Sequence, residues 1–577
     1  MRRAVQAQGA SRGLALGRAR VRQSQVFDAA PEQISAQAVD GEVERLHLAF
    51  DVARSELMEM RQRLQGALAH ELGEFLDLHG LILDDPELLH GLDDLIRKAN
   101  YSADYALRLQ RDRLASVFDG IDDPYMRSRR EDLDHVIGRV HAALHRNPGS
   151  DVIGLAGDVL VADTVAPSEL AQLTERGVVA VITTQGSALS HSAILARSLH
   201  LPLVVGAHEA FAKIADGDAL LVDGASGEII IEPDADDLRR FKHLQRETAR
   251  DRKALQRLRD AETITLDGTT VRLFANAESR DDVAQAYELG ASGVGLYRTE
   301  FLFLQGRESP DEEQQFLAYR DLVMGMRGRP VTLRTLDLGA DKADSAGICL
   351  QGEPNPALGV RGVRLSLSQP HLFRTQMRAL LRASAYGKMN ILIPMVTCRE
   401  EIYAVRRLIV SCREELHDEN HAVAKQVNLG IMVEVPAAAL ALPQLAHDCD
   451  FLSVGTNDLV QYLLAMDRGN EALAKSNSPL HPAVLRVLRD ILSFGLRRGI
   501  PVSVCGEMAG DPVFTRLLLG LGLRDFSLHP SNLLEVRRQI REVSLADCQR
   551  LCRRVLLAKD RAHLEKLVLG RSTTTGH

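Results

Sequence analysis

Arg298, Arg334, Glu434, Asn457, Asp458 and Cys505 each stand at or just past the end of a short β-type run, in "VGLYRTE", "VTLRTLDLG", "GIMVEVP", "FLSVGTND" and "PVSVCGE". Two guanidinium forks suit an anion charged at both ends, because each fork binds phosphate or carboxylate bidentately. Glu434 and Asp458 end successive runs and can share a hard cation; magnesium prefers a few carboxylates plus substrate oxygens. Cys505 adds a thiol to the same group. Together these residue types point to phosphoryl or enolate chemistry on a small phosphorylated acid. Each also has a plainer reading. A strand-end arginine is often a surface ion pair, a lone buried cysteine a core residue, and an acid beside Pro or Asn a cap or turn.

A second stretch, "GSALSHSAILARSLHLPLVVG" over 186–206, places His191 between two serines where a loop becomes a helix. A neutral imidazole nitrogen can attack an electrophilic phosphorus. Its product then needs donors for three phosphate oxygens. The free N–H groups and positive dipole end of a helix starting near residue 191 supply them, with the Ser190 and Ser192 hydroxyls beside them. The plain alternative is a packed or solvated imidazole.

The elements that must hold these residues can be read from the pattern. Residues 1–22 read as one or two short strands. Val43, Leu46, Phe50, Ala53, Leu57, Met60 and Leu64 then form an apolar seam on a long helix, and Leu133, Val136, Ile137, Val140 and Leu144 repeat the signature. The expected domains are an α/β domain from 1–22 plus 146–232, an all-helical insertion over 23–145, a linker helix over 233–262, and a barrel over 263–577. From 151 the runs "DVLVA", "VVAVIT", "PLVVG", "ALLVDG" and "EIIIEP" build the α/β domain. After 262, eight β-type runs alternate with helix-length segments, the pattern of a (β/α)8 TIM barrel. In that fold the site lies at the carboxyl ends of the strands, which is where the six residues above fall. That shared face lifts the set above its plain readings.

Composition bounds the rest. At 577 residues the chain exceeds one core and predicts three or four domains. A net charge of −8 argues against nucleic acid as partner, and no apolar run approaches the roughly 18 residues a membrane helix needs. The first 27 residues hold six arginines and no acid, but no signal-peptide apolar core. The seven cysteines all follow residue 348 without a CxxC pair, so neither a disulfide framework nor a zinc knuckle is expected, and a reducing cytoplasm fits.

With these segments in place, the chain resembles the Enzyme I family of phosphoenolpyruvate-dependent phosphotransferase systems. The resemblance runs through "SHSAILARSLHLPLVVG", "GVGLYRTEFLFL", "LRTLDLGADK", "NPALGVRGVR", "GIMVEVPAAA", "SVGTNDLVQYLLAMDRGN" and "VCGEMAGD", in family order over nearly the whole chain. It implies a swivelling phosphohistidine domain, a helical insertion that docks the carrier protein HPr, and a barrel that binds phosphoenolpyruvate. His191 matches the phosphorylated position, accepting phosphate on Nε2 and passing it to a histidine of HPr. Arg298, Arg334 and Arg468 match the substrate-binding arginines, Asn457 the substrate-binding asparagine, and Arg361 a further arginine near that site. Glu434 and Asp458 match the Mg2+ ligands, with Asp458 close to substrate, and Cys505 the acid that protonates the enolate. Lys342 ends a similar "DLGADK" loop. Because one imidazole serves both phosphoenolpyruvate and HPr, the small domain must swing, with hinges near 145 and 233–262. The family also implies a homodimer through the barrel domain.

Departures are local. The family's Gly-Gly-Arg-Thr-Ser before the histidine is here Gly186-Ser187-Ala188-Leu189-Ser190, without the cation and threonine hydroxyl that can steady phosphate. "SRGLALG" lacks the family's common proline, Val435 replaces a frequent threonine, and "FSLHPSN" replaces small residues. Three rivals remain at this point. A dikinase or phosphoenolpyruvate synthase would need a large ATP-binding domain, for which the helical block is too short. A nitrogen-branch paralogue, usually preceded by a sensory domain, would serve a specialised carrier; the expected role is instead the first step of a sugar phosphotransferase system. A degenerate regulatory protein would dock HPr without catalysis.

Overall fold

The computed structural model describes residues 2–22, 32–63, 76, 79–119, 124–145, 156–165, 167–186, 190–199, 201–304, 309–339, 353, 355–467, 473 and 476–569. The chain divides into two units, Met1–Ala249 and Arg250–His577.

The first unit holds an eight-stranded sheet of β1 (Arg3–Gln6), β2 (Gln8–Ser11), β3 (Leu14–Arg22), β4 (Asp158–Ala162), β5 (Ala180–Thr183), β6 (Leu203–Val205), β7 (Ala219–Asp223) and β8 (Glu228–Ile231), in the order β1-β8-β7-β3-β4-β5-β6-β2. The amino-terminal residues thus form three strands where one or two were expected. β3, β4, β5 and β6 run parallel, and the outer pairs are antiparallel. Alternation along β4 sends Val159 and Val161 to one apolar cluster and Leu160 and Ala162 to the other, so the central strands are buried on both faces.

β3 and β4 are neighbours in the sheet although 135 residues lie between Arg22 and Asp158 in the chain; among these are the helices Val39–Arg63, Pro86–Ala99, Ala103–Asp119 and Pro124–Leu144. Val43, Leu46, Phe50, Ala53 and Leu57 of the expected seam are buried in one helical core with Leu92, Ile96, Leu107, Val136 and Ile137. Asp85 caps the second of these helices by accepting from Glu87 N at 2.9 Å, ahead of Pro86 at the first helical position. The helix Ala235–Gln256 starts on the sheet domain. Its Asp237 accepts from Arg2 Nε and Nη2 at 2.6 and 3.0 Å, and Phe241 packs on Leu221 and Ile230.

The second unit is a closed parallel barrel of β9 (Arg272–Ala277), β10 (Val294–Arg298), β11 (Val331–Arg334), β12 (Met389–Ile393), β13 (Asn428–Val433), β14 (Phe451–Val454), β15 (Val502–Val504) and β16 (Asp525–Leu528), with helices between them. All eight expected runs are strands. β16 pairs with β9 to close the ring, and Arg272 Nε lies 2.7 Å from Asp525 Oδ1 across that seam. Arg537, 2 % exposed, anchors the amino-terminal side of the barrel. It donates to the carbonyls of Leu258, Arg259 and Gly290 at 2.7, 2.5 and 2.7 Å and to Thr263 Oγ1 at 3.1 Å. Burial holds its guanidinium below the usual arginine range, against the opposing charge of Asp260. Arg537→Met should cost about 3 kcal/mol or more, because several buried carbonyls lose their donor together. A clear fall in the urea midpoint, followed by circular dichroism, is the expected result; an unchanged midpoint refutes the anchor.

Candidate active site

In the first unit, β5 runs into a loop whose ends the chain itself fixes. Thr183 Oγ1 donates to Gln185 O at 2.7 Å, and Thr184 Oγ1 donates to Asp163 Oδ1 at 3.2 Å. Gly186 adopts φ +100°, a conformation that favours glycine and lets the loop turn toward the helix His191–Ser198. Ser190 is its N-cap, with Oγ accepting from Ala193 N at 3.3 Å, and Ser192 Oγ donates to Val165 O at 2.8 Å. Arg197 Nη1 ties the far end of the helix to Ala10 O at 2.9 Å. His191 is therefore the first residue of a capped helix, and its neighbours Ser190 and Ser192 help to line a small cavity with Thr164, Gln185 and Gly186. Residues 187–189 of the altered loop lie outside the described residues.

In the second unit the expected residues gather at the carboxyl ends of the strands. Arg334, last in β11, is buried, with Nη1 3.0 Å from Asp337 Oδ2 and Nη2 3.3 Å from Glu300 Oε1. Arg361 grips the same Asp337 with two nitrogens, Nη2 to Oδ2 at 3.0 Å and Nε to Oδ1 at 3.3 Å. Its Nη1 lies 3.1 Å from the Tyr462 hydroxyl and 3.5 Å from Asp458 Oδ1. Burial opposes the charge on both arginines, yet the facing carboxylates outweigh it and push both above the usual arginine range. Burial alone would raise Asp337, but Arg334 and Arg361 hold it below the usual carboxylate range.

Glu434 follows β13 and is fully buried. Its Oε1 accepts from Met395 N at 2.7 Å, whereas Oε2 has no hydrogen-bond partner among the described residues. A Cβ on Gly455 would stand 2.7 Å from that oxygen, so the glycine keeps the adjoining space open. Burial first, then the charges of Asp337 and Asp458, push the Glu434 carboxyl up to about 8. The cause is visible in the ionic balance. Among the described residues, Arg334, Arg361 and Arg298 act on the carboxylates of Glu300, Asp337, Glu434 and Asp458, so negative charge is in surplus. A buried, donor-poor oxygen set of this kind fits a hard divalent cation.

Cys505, directly after β15, is buried, and its Sγ accepts from Ser453 Oγ at 3.3 Å; Ser503 Oγ donates in turn to Ser453 Oγ at 3.2 Å. Burial pushes the thiol up to about 11, so it is protonated at neutral pH. Asn276 Nδ2 holds the backbone here by donating to Cys505 O at 2.9 Å. Arg298 ends β10 and pairs with Glu278. Asn457 is drawn elsewhere: Nδ2 donates to Glu507 Oε1 at 3.2 Å and Oδ1 accepts from Glu507 N at 3.0 Å, so neither polar atom is on the arginine cluster. Arg468 and Lys342 lie outside the described residues.

Sequence reasoning passed over Asp337, Glu300, Ser453 and Tyr462. Asp337 and Glu300 were legible in principle, as acids inside the same "LRTLD" and "LYRTE" segments that hold the arginines. Ser453 and Tyr462 carry no such signal, since a serine in a strand and a tyrosine in a helix usually pack.

Comparison with known proteins follows the same division. Residues 252–545 match the family model described as PEP-utilising enzyme, PEP-binding domain, residues 154–227 that of the PEP-utilising enzyme mobile domain, and residues 6–129 that of the PEP-utilising enzyme N-terminal region. A phosphoenolpyruvate-protein phosphotransferase of Cupriavidus necator is 43% identical over 553 residues, covering 94% of each chain. Proteins of the same name from Staphylococcus epidermidis and Geobacillus stearothermophilus are each 38% identical, over 92% and 95% of this chain and 93% and 94% of their own.

Proposed function

This chain belongs to the phosphoenolpyruvate–protein phosphotransferase family, and from that premise we infer that His191 takes the phosphoryl group of phosphoenolpyruvate and hands it to a histidine of an HPr-type carrier. The observation that supports the barrel half of this reading is the buried cluster of Arg334, Asp337 and Arg361 beside a Glu434 oxygen that has no partner among the described residues. Arg298, Arg334 and Arg468 bind the phosphate and carboxylate of the substrate, with Arg361 and Asn457 at its edge. The His191 nitrogen forms the new N–P bond while the ester P–O bond breaks and its electron pair leaves on the enolate oxygen. Cys505 then gives the Sγ proton to the terminal carbon, and the enolate becomes the ketone pyruvate. Because the enol form is high in energy, that proton makes the transfer favourable. Glu434 and Asp458 would hold Mg2+, which supplies positive charge to the phosphate and the departing enolate.

His191 belongs to the first unit and the substrate residues to the second, so one imidazole must serve two places in turn. The connections near 145 and within 233–262 are the proposed hinges, and the helices between β3 and β4 the proposed carrier-docking part. Pairing of two chains through the barrel and a place in the cytoplasm complete the reading. The six described cysteines are free thiols, as a reducing compartment requires, and no helix among the described residues is long and apolar enough to cross a membrane.

The direct test is incubation with phosphorus-labelled phosphoenolpyruvate and Mg2+. Acid-labile label localised to His191 by mass spectrometry, with one pyruvate released per label, is the expected result. No label, or label elsewhere, overturns the reading. Transfer to sugar-branch and nitrogen-branch carriers, compared side by side, then assigns the branch.

The raised Glu434 carboxyl carries its own prediction. Below pH about 8 the metal-free carboxyl keeps a proton that Mg2+ must displace, so Mg2+ binds more tightly as pH rises toward 8 and then levels off. Calorimetry in buffers of different ionisation enthalpy should show close to one proton released per ion at neutral pH, and none for Glu434→Gln. Mg2+ affinity that is flat from about pH 6 to 9 would exclude Glu434 as a ligand.

A further inference from the structure

The helical part of the first unit carries a side-chain trio that the reaction does not use. His141 and His145 lie four residues apart at the end of the helix Pro124–Leu144, and His145 N still donates to His141 O at 3.2 Å. Residues so spaced share one helix face, and the two rings stand 4.5 Å apart between centroids. Asp104, in the first turn of Ala103–Asp119, meets both rings with a single oxygen. Its Oδ1 is 3.4 Å from His141 Nε2 and 2.7 Å from His145 Nε2. One ligand atom from each of the three residues lies within 4.8 Å of the others.

The second carboxylate oxygen is occupied from behind. Arg45 Nη2 is 3.1 Å from Asp104 Oδ2 and 3.0 Å from Glu42 Oε1, so the carboxylate is oriented with Oδ1 toward the imidazoles. Outer partners of this kind fix the ligands of metal sites. In a tetrahedral zinc site, bonds of about 2.0–2.1 Å put neighbouring ligand atoms roughly 3.3–3.4 Å apart. The His141–Asp104 edge already has that length at 3.4 Å. The His145–Asp104 contact is a hydrogen bond that must open by roughly 0.6 Å when an ion replaces the shared proton. The His145 side chain is 52 % exposed and has room to shift.

We propose that Asp104, His141 and His145 bind a borderline divalent transition metal ion, zinc foremost, with a fourth position open to water. Two imidazoles and one carboxylate suit Zn2+, Co2+ or Ni2+ and disfavour Mg2+, which takes oxygen ligands. The ion joins the start of one helix to the end of another, at the point where the helical residues lead back toward β4. This site is independent of the phosphotransfer reading.

The test titrates Zn2+ into the metal-free full chain against a chromogenic chelator, with Mg2+ in excess to fill the oxygen-lined site. The wild-type chain should bind one more Zn2+ than His145→Ala or Asp104→Asn, or bind it at least tenfold more tightly. Co2+ should give a tetrahedral ligand-field spectrum that His141→Gln removes. Equal stoichiometry and affinity in all these chains, or a Co2+ spectrum unchanged in His141→Gln, overturns the site and leaves a hydrogen-bonded His–Asp–His group.

Discussion

His191→Ala should take up no phosphoryl group from phosphoenolpyruvate, a loss of roughly 10⁶-fold if removal of a covalent nucleophile behaves here as elsewhere. The imidazole does two things that no neighbour replaces. Its nitrogen lone pair attacks phosphorus, and the resulting phosphoimidazole is reactive enough to phosphorylate a second histidine. Ser190 and Ser192 flank it, but their hydroxyls have other work: Ser190 Oγ accepts from Ala193 N and Ser192 Oγ donates to Val165 O. A serine phosphate would also be a dead end, because it does not return its phosphoryl group to a carrier. The Ser190 cap is independent of the imidazole, so the helix should survive the change and substrate binding in the barrel should persist. Intact-protein mass spectrometry after incubation with phosphoenolpyruvate and Mg2+ is the measurement. A mass increase of one phosphoryl group on His191→Ala would remove the basis of the mechanism.

Cys505→Ala is expected to bind phosphoenolpyruvate about as well as the parent chain but to turn over about 10²- to 10⁴-fold more slowly, the range over which a positioned general acid acts. The thiol has the properties of a proton donor. It is pushed up to about 11 by burial, so it holds its proton, and it sits beside Ser453 rather than beside a base. The direction matters for pH as well. The protonated form is lost only as pH rises through about 11, so Cys505 should add no inflection to the rate across the neutral range. Pyruvate release under steady state, with phosphoenolpyruvate binding measured separately, reads both halves of the expectation. An unchanged rate removes the role, and lost binding reassigns Cys505 to holding the strand ends.

The β-type runs and the apolar seams mark elements by local periodicity, because side-chain alternation of two or near-helical spacing is imposed by burial on one face. That is why all eight barrel strands, and the strand-end placement of Arg298, Arg334, Glu434, Asp458 and Cys505, follow from the chain alone. The amino-terminal residues exceeded their pattern, with three strands, because β1 and β2 borrow partners from β8 and β6 more than 190 residues away. The same limit applies within the site. Nothing local says that Arg361 will share Asp337 with Arg334, that both polar atoms of Asn457 will turn to Glu507, or that one oxygen of Glu434 will have no donor among the described residues. Residue order and periodicity alone set which residue types reach the carboxyl ends of the strands and the start of the His191 helix. Their pairing, their desolvation and hence their charge come from the folded chain, since these depend on groups that long-range packing brings within a few ångströms.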